Sequence, residues 1–378
     1  MTEQDRKRQQ KVATSVAQPE AATGPAVLLA GGAGYIGLHV AVALLEAGYE
    51  VVVADNLSNS FSRGIGRVGE ITGRRPGFAR CDVRDARALD EIFTRHDIRA
   101  VVHLAGLKCA PESVAEPLAY HEVNLGTTVA LLAAMQRHGC HRLIFSSSAA
   151  VYGPSETAVR EDMPARPASP YAWTKLAGER ILTDLAMAQP DMRAISLRYF
   201  NPVGAHPSGL IGEHGRTRAT NLFPVLMKAA ASGRTFSVFG VDWPTRDGSC
   251  VRDFVHICDI AEGHVAAVDA LFDEAMAPGH EIMNLGSGEG VTVLEAVDAF
   301  ARVARRSVDW VPAPRRPGDV GLSVADATRA QTRLNWKARR GIEAMCRDAL
   351  RWHRTMNEGV AMPGKATAQV NGSKVPQF

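Results

Sequence analysis

The chain has 378 residues, is 46% hydrophobic and carries a formal charge of +3, enough material for one large domain or two smaller ones with a sizeable core. So small a charge, with Lys and Arg scattered, argues against a strongly basic nucleic-acid binder. The one dense basic run, Arg6-Lys7-Arg8 with Lys11, reads as part of a solvated extension.

Residues 1–24 are polar, Ala-rich and aperiodic, so the sequence predicts disorder there. An apolar run at 26–30 predicts a buried strand. It is followed by the glycine turn Gly31-Gly32-Ala33-Gly34-Tyr35-Ile36-Gly37 and a helix over 37–47. Further strands are predicted at 50–54, 78–81, 100–104, 142–146 and 194–199, with helices over 86–95, 118–138 and 171–188. Short, nearly all-apolar strands separated by helices mean a parallel sheet covered on both faces, the α/β, doubly wound (Rossmann-type) class. After Tyr199 the rhythm changes. Polar loops at 201–215, 242–249 and 311–319 alternate with helices near 221–232, 259–272, 293–304 and 342–354. We expect a nucleotide-binding domain over 25–200 and a smaller, loop-rich C-terminal α/β substrate region over 201–356, its loops lining the cleft at the strand carboxyl ends. The chain is free to cross back to the sheet there. Residues 357–378 read as a second disordered tail. The cysteines, Cys81, Cys109, Cys140, Cys250, Cys258 and Cys346, form no C-x-x-C pair; this argues against a zinc site or a disulfide framework and for a reducing compartment. No apolar stretch approaches the roughly 20 residues of a membrane span, and the N-terminus has no signal-peptide core. A soluble cytoplasmic protein is expected.

Gly31, Gly34 and Gly37 fall where a first strand meets a first helix. There glycine allows the tight turn, close approach of a pyrophosphate and close helix–sheet packing, and the helix N-terminus offers free N–H groups. Asp55 follows the second strand, where a carboxylate binds ribose hydroxyls and repels a 2′-phosphate, favouring NAD over NADP. Farther on, Tyr171 and Lys175 lie one turn apart on one face of a predicted helix. A free phenol, with a pKa near ~10, is a poor base at neutral pH; an ammonium beside it is expected to lower that value. A base next to a dinucleotide site describes alcohol oxidation by nicotinamide.

Other segments then fall in a recognisable order: Ala105-Gly106-Leu107-Lys108, Ser146-Ser147-Ser148-Ala149-Ala150-Val151-Tyr152-Gly153, Arg198-Tyr199-Phe200-Asn201-Pro202-Val203-Gly204-Ala205-His206-Pro207, Val251-Arg252-Asp253-Phe254-Val255-His256 and Arg316-Pro317-Gly318-Asp319. With the glycine turn and Tyr171/Lys175, these make the chain resemble the UDP-glucose 4-epimerase family of the extended short-chain dehydrogenase/reductases, from about residue 26 to 354. The resemblance implies exchange of UDP-glucose with UDP-galactose through a transient 4-keto sugar and tightly held NAD. Tyr171 would be the base and Ser148 the hydroxyl that binds the sugar 4-oxygen. Lys175 would lower the tyrosine pKa; a drop of ~3 units corresponds to ~4 kcal/mol. On the cofactor side it implies Tyr35 and Ile36 by the pyrophosphate, Asp55, Asn56, Ser60, Asp82 and Val83 by the adenosine, Lys108 by a ribose, and Asn124. On the substrate side it implies Asn201 and Asn221, Phe239 by the uracil, Arg252 and Arg316 on the diphosphate, and Asp319 on the uridine ribose. It also implies a homodimer through the helices at 118–138 and 171–188.

Several positions depart from the family. Ala30 replaces the usual threonine, Trp173 is uncommon within Tyr-x-x-x-Lys, and residues 209–220 are irregular. Ser323 stands at the family's sugar-pocket gate, where a small residue leaves room for a 2-acetamido group, so exchange of UDP-GlcNAc with UDP-GalNAc is a further expectation. A dehydratase or decarboxylase relative is one alternative, but Ala149-Ala150 occupies the place of the dehydratase acid pair. A non-catalytic nucleotide-sensing regulator is another, and fold alone does not exclude it.

Overall fold

The computed structural model describes residues 24–216, 221–316 and 319–358. Most of the two predicted tails, 1–23 and 359–378, lies outside the described residues. The last helix runs on through Asn357 to Glu358, so the first two residues of the expected C-terminal tail are helical.

The first half builds one sheet. Its strands are β1 (Ala26–Ala30), β2 (Glu50–Ala54), β3 (Gly77–Ala79), β4 (Ile98–His103), β5 (Arg142–Ser148) and β6 (Arg193–Tyr199), with helices α1 (Tyr35–Glu46), α2 (Arg63–Thr72), α3 (Ala86–Arg95), α4 (Ala110–Ala115), α5 (Pro117–Arg137) and α6 (Pro170–Ala188) between them. The second half adds β7 (Asn201–Val203), α7 (Leu222–Ser232), β8 (Phe236–Phe239), β9 (Val251–His256), α8 (Ile257–Phe272), β10 (Gly279–Leu285), β11 (Gly290–Thr292), α9 (Val293–Ala304), β12 (Trp310–Ala313), β13 (Leu322–Ser323), α10 (Thr328–Leu334) and α11 (Ile342–Glu358).

Seven parallel strands lie in the order β10-β6-β5-β4-β1-β2-β3. β1 shows why its sequence is apolar throughout. Successive side chains of a strand face opposite ways: Val27 and Leu29 enter a core with Leu38, Leu44, Ile260 and Leu271 of α1 and α8. Ala26, Leu28 and Ala30 enter a second core with Leu89, Phe93, Leu131 and Leu182 of α3, α5 and α6. The order of the sheet reverses at β1 and β4, which opens a crevice at their carboxyl ends.

A third core of Val203, Phe223, Leu226, Phe236, Phe254, Phe300 and Met345 holds the second region together. There β9 is flanked by β11 and β13 and also pairs with β7, while β8 pairs with β12. The chain returns to the first sheet through β10, which lies parallel to β6. A capping box at Thr292 and Glu295 starts α9. Trp173 does not pack inward: it is 53% exposed.

Candidate active site

The glycine turn is shaped by backbone crowding. Gly31 has φ +80°, and a Cβ there would meet the Ala105 backbone nitrogen at 2.5 Å. A Cβ on Gly37 would strike the Gly32 backbone at 2.5 Å, whereas one on Gly34 would meet only the Gly31 carbonyl at 3.5 Å. The turn is therefore closed against the sheet and open over Gly34, the N-cap of α1. That helix starts without a side-chain cap and without an acid in its first turn, so its N–H groups suit an anion. Asp55, buried directly after β2, accepts from Ala33 N at 3.0 Å, Leu57 N at 2.8 Å and Ser60 Oγ at 2.8 Å. A carboxylate here excludes a nearby phosphate. These residues fit a dinucleotide of the NAD type.

The remaining cofactor-side residues are brought close, with some changes of part. The Tyr35 phenol donates to the Gly204 carbonyl at 2.8 Å, so it braces the turn, and only its backbone is left to face a pyrophosphate. Ile36 packs against the first core. Asn56 Nδ2 donates to Asp82 at 3.4 Å, and Arg84 pairs with Asp82 at 2.9 Å, holding that carboxyl down to about 2, chiefly by hydrogen bonding. The Val83 side chain is core, leaving its backbone for any adenine contact. Asn124 accepts from Leu107 N at 2.7 Å and donates to Leu107 O at 3.1 Å and Thr174 Oγ1 at 2.9 Å, fastening the loop after β4 to α6.

Ser148 ends β5, and Tyr171 and Lys175 open α6. The Ser169 hydroxyl caps this helix at Ala172 N, with Pro170 in its first turn. Pro at this position has no N–H to lose and a preset φ. Lys175 is buried and donates to the Ser146 carbonyl at 2.7 Å, with its Nζ 5.9 Å from the Tyr171 ring centre. Burial pushes Lys175 down to about 8, with Glu179 opposing. Burial pushes the Tyr171 phenol up, while hydrogen bonding to Ser148 draws it back. The expected lowering of the phenol by Lys175 therefore has burial to work against, and in the protein by itself the hydrogen bond to Ser148 is what opposes that burial.

The substrate-side residues converge on β9 and β13. Arg252 is fixed by bonds to the Val251 and Val320 carbonyls at 3.0 and 2.8 Å. Its Nη2 lies 3.6 Å from Asp319, which also faces Arg316 at 3.7 Å. Arg316 lies over the Phe239 ring at 4.2 Å. Ser323 is the register partner of Arg252, and Asn201 on β7 pairs opposite Phe254, two residues along β9. Asn221 is set apart from this group: it donates to Glu213 at 2.6 Å, and Lys108 approaches the same carboxylate at 3.7 Å. Two residues expected on different ligands thus share one acid.

Sequence reasoning missed Glu213, which lies in the irregular 209–220 stretch, and Asp253. The buried Asp253 carboxylate accepts from Ser287 N, Ser287 Oγ, Gly288 N and Ala325 N at 2.7, 2.6, 3.0 and 3.1 Å, tying two loops beneath Arg252 and Ser323. Its presence beside Arg252 in the quoted Val-Arg-Asp run was the available signal.

A doubly wound sheet with an anion-ready glycine turn and a Ser/Tyr/Lys group at its rim defines a nucleotide-dependent enzyme class. The chain belongs to the NAD dependent epimerase/dehydratase family, whose sequence profile matches residues 27–286. It is similar to the UDP-glucose 4-epimerase of Bacillus subtilis, 47% identical over 86% of this chain and 96% of that protein. Among solved structures it resembles the UDP-glucose 4-epimerase of Stenotrophomonas maltophila with bound NAD and formylated UDP-arabinopyranose, at TM-score 0.86 and 43% identity over 89% of this chain and 99% of that one. It also resembles the enzyme of Bifidobacterium longum in complex with NAD+ and UDP, at TM-score 0.84 and 41% identity over 88% and 99% of the two chains.

Proposed function

We propose that this protein is a UDP-glucose 4-epimerase that interconverts UDP-glucose and UDP-galactose with NAD as resident cofactor. The observation that carries the reading is the meeting of Ser148, Tyr171 and the Ser146-anchored Lys175 at one rim of the sheet, beside a glycine turn open over Gly34. The relatives above, alike over nearly their whole length, support it.

In this reading the turn at Gly31, Gly34 and Gly37 and the start of α1 hold the pyrophosphate, Asp55 with Ser60 the adenosine ribose, and Lys108 and Asn124 the far end. When bound there, NAD would supply the hydride acceptor and donor that epimerisation at the sugar C4 requires. Tyr171 removes the 4-hydroxyl proton and gives it back, and Ser148 holds the 4-oxygen. Because burial disfavours the phenolate, Tyr171 depends on a neighbouring cation, and Lys175, at about 8, is mostly charged at neutral pH. Arg252 and Arg316 bind the diphosphate with charge-assisted bonds. Asp319 binds the uridine ribose, Phe239 lies at the uracil, and Asn201 and Asn221 hold the sugar side. Elimination lacks its acid, since Ala149-Ala150 follow Ser148 in the short 3-10 turn after β5.

Ser323 favours a second substrate pair. A hydroxymethyl beside Arg252 leaves room for a 2-acetamido group, so UDP-GlcNAc and UDP-GalNAc are also accepted. We read the protein as a cytoplasmic homodimer. No helix among the described residues is long and apolar enough to cross a membrane. Leu118 and Val129 on α5 and Trp173 and Met187 on α6 are 82, 54, 53 and 81% exposed, apolar surface suited to a partner.

The test is NMR of UDP-galactose incubated with the purified protein and with Tyr171→Phe. Wild type should form UDP-glucose. The variant should keep its nucleotide and lose at least about 10²-fold in turnover. A Tyr171→Phe protein as active as wild type would remove the phenol from the reaction.

A further inference from the structure

One turn beyond Lys175, α6 places a second buried charge. Glu179 is 2% exposed and Arg198, from β6, 3%. Arg198 donates from Nε to Glu179 Oε1 at 2.8 Å and from Nη2 to Oε2 at 2.6 Å. Ser147 Oγ donates to the same Oε1 at 2.5 Å. The guanidinium lies 4.7 Å over the Tyr152 ring, and its Nη1 has no hydrogen-bond partner among the described residues. A buried ion pair is a weak device for stability, since apolar residues of the same volume often do as well. Its location suggests another use. Ser147 stands between Ser146, whose carbonyl takes the Lys175 ammonium, and Ser148.

We propose that Glu179 is a positioning residue of the reaction: its carboxylate, fixed by Arg198, pins the end of β5 through Ser147 and keeps the Lys175 ammonium charged beside Tyr171. This rests on the roles given above to Tyr171 and Lys175.

The other titratable groups on α6 and the neighbouring strands do not supply that charge. On α6 burial pushes the Tyr171 phenol up, disfavouring its anion. β5 offers the Ser146 carbonyl and the Phe145 ring at 5.2 Å from Nζ. β4 offers His103, held neutral at about 3 by burial and by Lys175 itself. β6 offers Tyr199, also raised by burial, and the cationic Arg198. β10 offers His280, which is lowered to about 4 by burial and bonded to Ser196 and Thr183 at 2.8 and 2.9 Å. Among the described residues, Glu179 is the one charged group found to favour the ammonium.

Glu179→Gln keeps the shape and an acceptor for Ser147 but removes the charge. The experiment is the dependence of UDP-galactose turnover on pH, from about 6 to about 10, in wild type and this variant. Lys175 must be charged to act, so a lower lysine pKa ends activity at lower pH. The alkaline limb of kcat is expected to move down by about one pH unit or more, with KM for UDP-galactose within about twofold of wild type. Because an orphaned Arg198 endangers folding, the neutral pair Glu179→Gln/Arg198→Met is measured as well, with a smaller downward shift expected. Ser147→Ala is expected to lower kcat several-fold with the limb unmoved. Limbs that coincide in wild type and both charge variants overturn the electrostatic role, and an unchanged kcat in Ser147→Ala overturns the pinning. A wild type without turnover defeats instead the assignment of the active site.

Discussion

The Tyr35 phenol reaches across 169 positions of sequence to the Gly204 carbonyl at 2.8 Å. Tyr35 opens α1 on the glycine turn, and Gly204, with φ +100°, lies just after β7, so one hydrogen bond ties the proposed cofactor side to the proposed substrate side. Tyr35→Phe leaves a carbonyl without its donor. A buried group so stranded costs about 1–3 kcal/mol, which should appear as a lower midpoint in urea. Because the bond bridges two loops, KM for the UDP-sugar should rise more than turnover falls. A variant with unchanged midpoint and KM would show that the bond braces nothing.

Gly31→Ala asks for a side chain where φ is +80° and the Ala105 backbone stands 2.5 Å from the new carbon. Backbone cannot step aside as a flexible side chain does, so the turn must open. Purified Gly31→Ala should carry little nucleotide, read from the absorbance of the extract after acid release. Nucleotide content equal to wild type would contradict the cradle.

Ser323→Tyr fills the space beside Arg252. Turnover of the acetamido sugars should fall by at least about tenfold, given ~1–3 kcal/mol for each methylene-sized change of a pocket, while UDP-galactose turnover persists. Parallel assays on the two sugar pairs read the ratio. An unchanged ratio, or a wild type inert toward acetamido sugars, ends the gate.

Lys175 has a stability signature of its own. Its value in the fold, about 8, lies below the ordinary 10.5, so between these limits the unfolded chain binds more protons and stability contributed at this site rises with pH. Lys175→Met removes the buried charge. Its stability relative to wild type, from urea denaturation of nucleotide-free protein, should be greatest near neutral pH, by up to about 3 kcal/mol. That advantage should shrink as pH climbs from about 8 to about 10.5. A gap independent of pH would mean that the lysine is not depressed.

The sheet and α6 were legible because their residues speak locally: five successive apolar positions such as Ala26–Ala30 leave no polar face, and Ser169-Pro170 announces a helix start. The second region spoke less clearly. β7, β11 and β13 are two or three residues long and exist only through partners far away in sequence. Helix α2 holds Gly64, Gly66 and Gly69, which lower helix propensity, and was missed. In the site, the sequence named residues without displaying the local bonds that hold them. Asp55 was placed at the ribose, but its bonds to Ala33, Leu57 and Ser60 are a matter of folding. The burial that pushes the Tyr171 phenol up, against which a lysine 5.9 Å from the ring centre must work, is something a motif does not display.

The central claim is that hydride leaves and returns to C4 without escaping the protein, while Tyr171 handles only the hydroxyl proton. UDP-galactose carrying deuterium at C4, incubated with the enzyme in ordinary water, tests it directly. Proton NMR and mass spectrometry of the UDP-glucose formed should find the deuterium still at C4. Replacement of that label by solvent hydrogen would mean that the carbon itself is deprotonated, and would contradict the account.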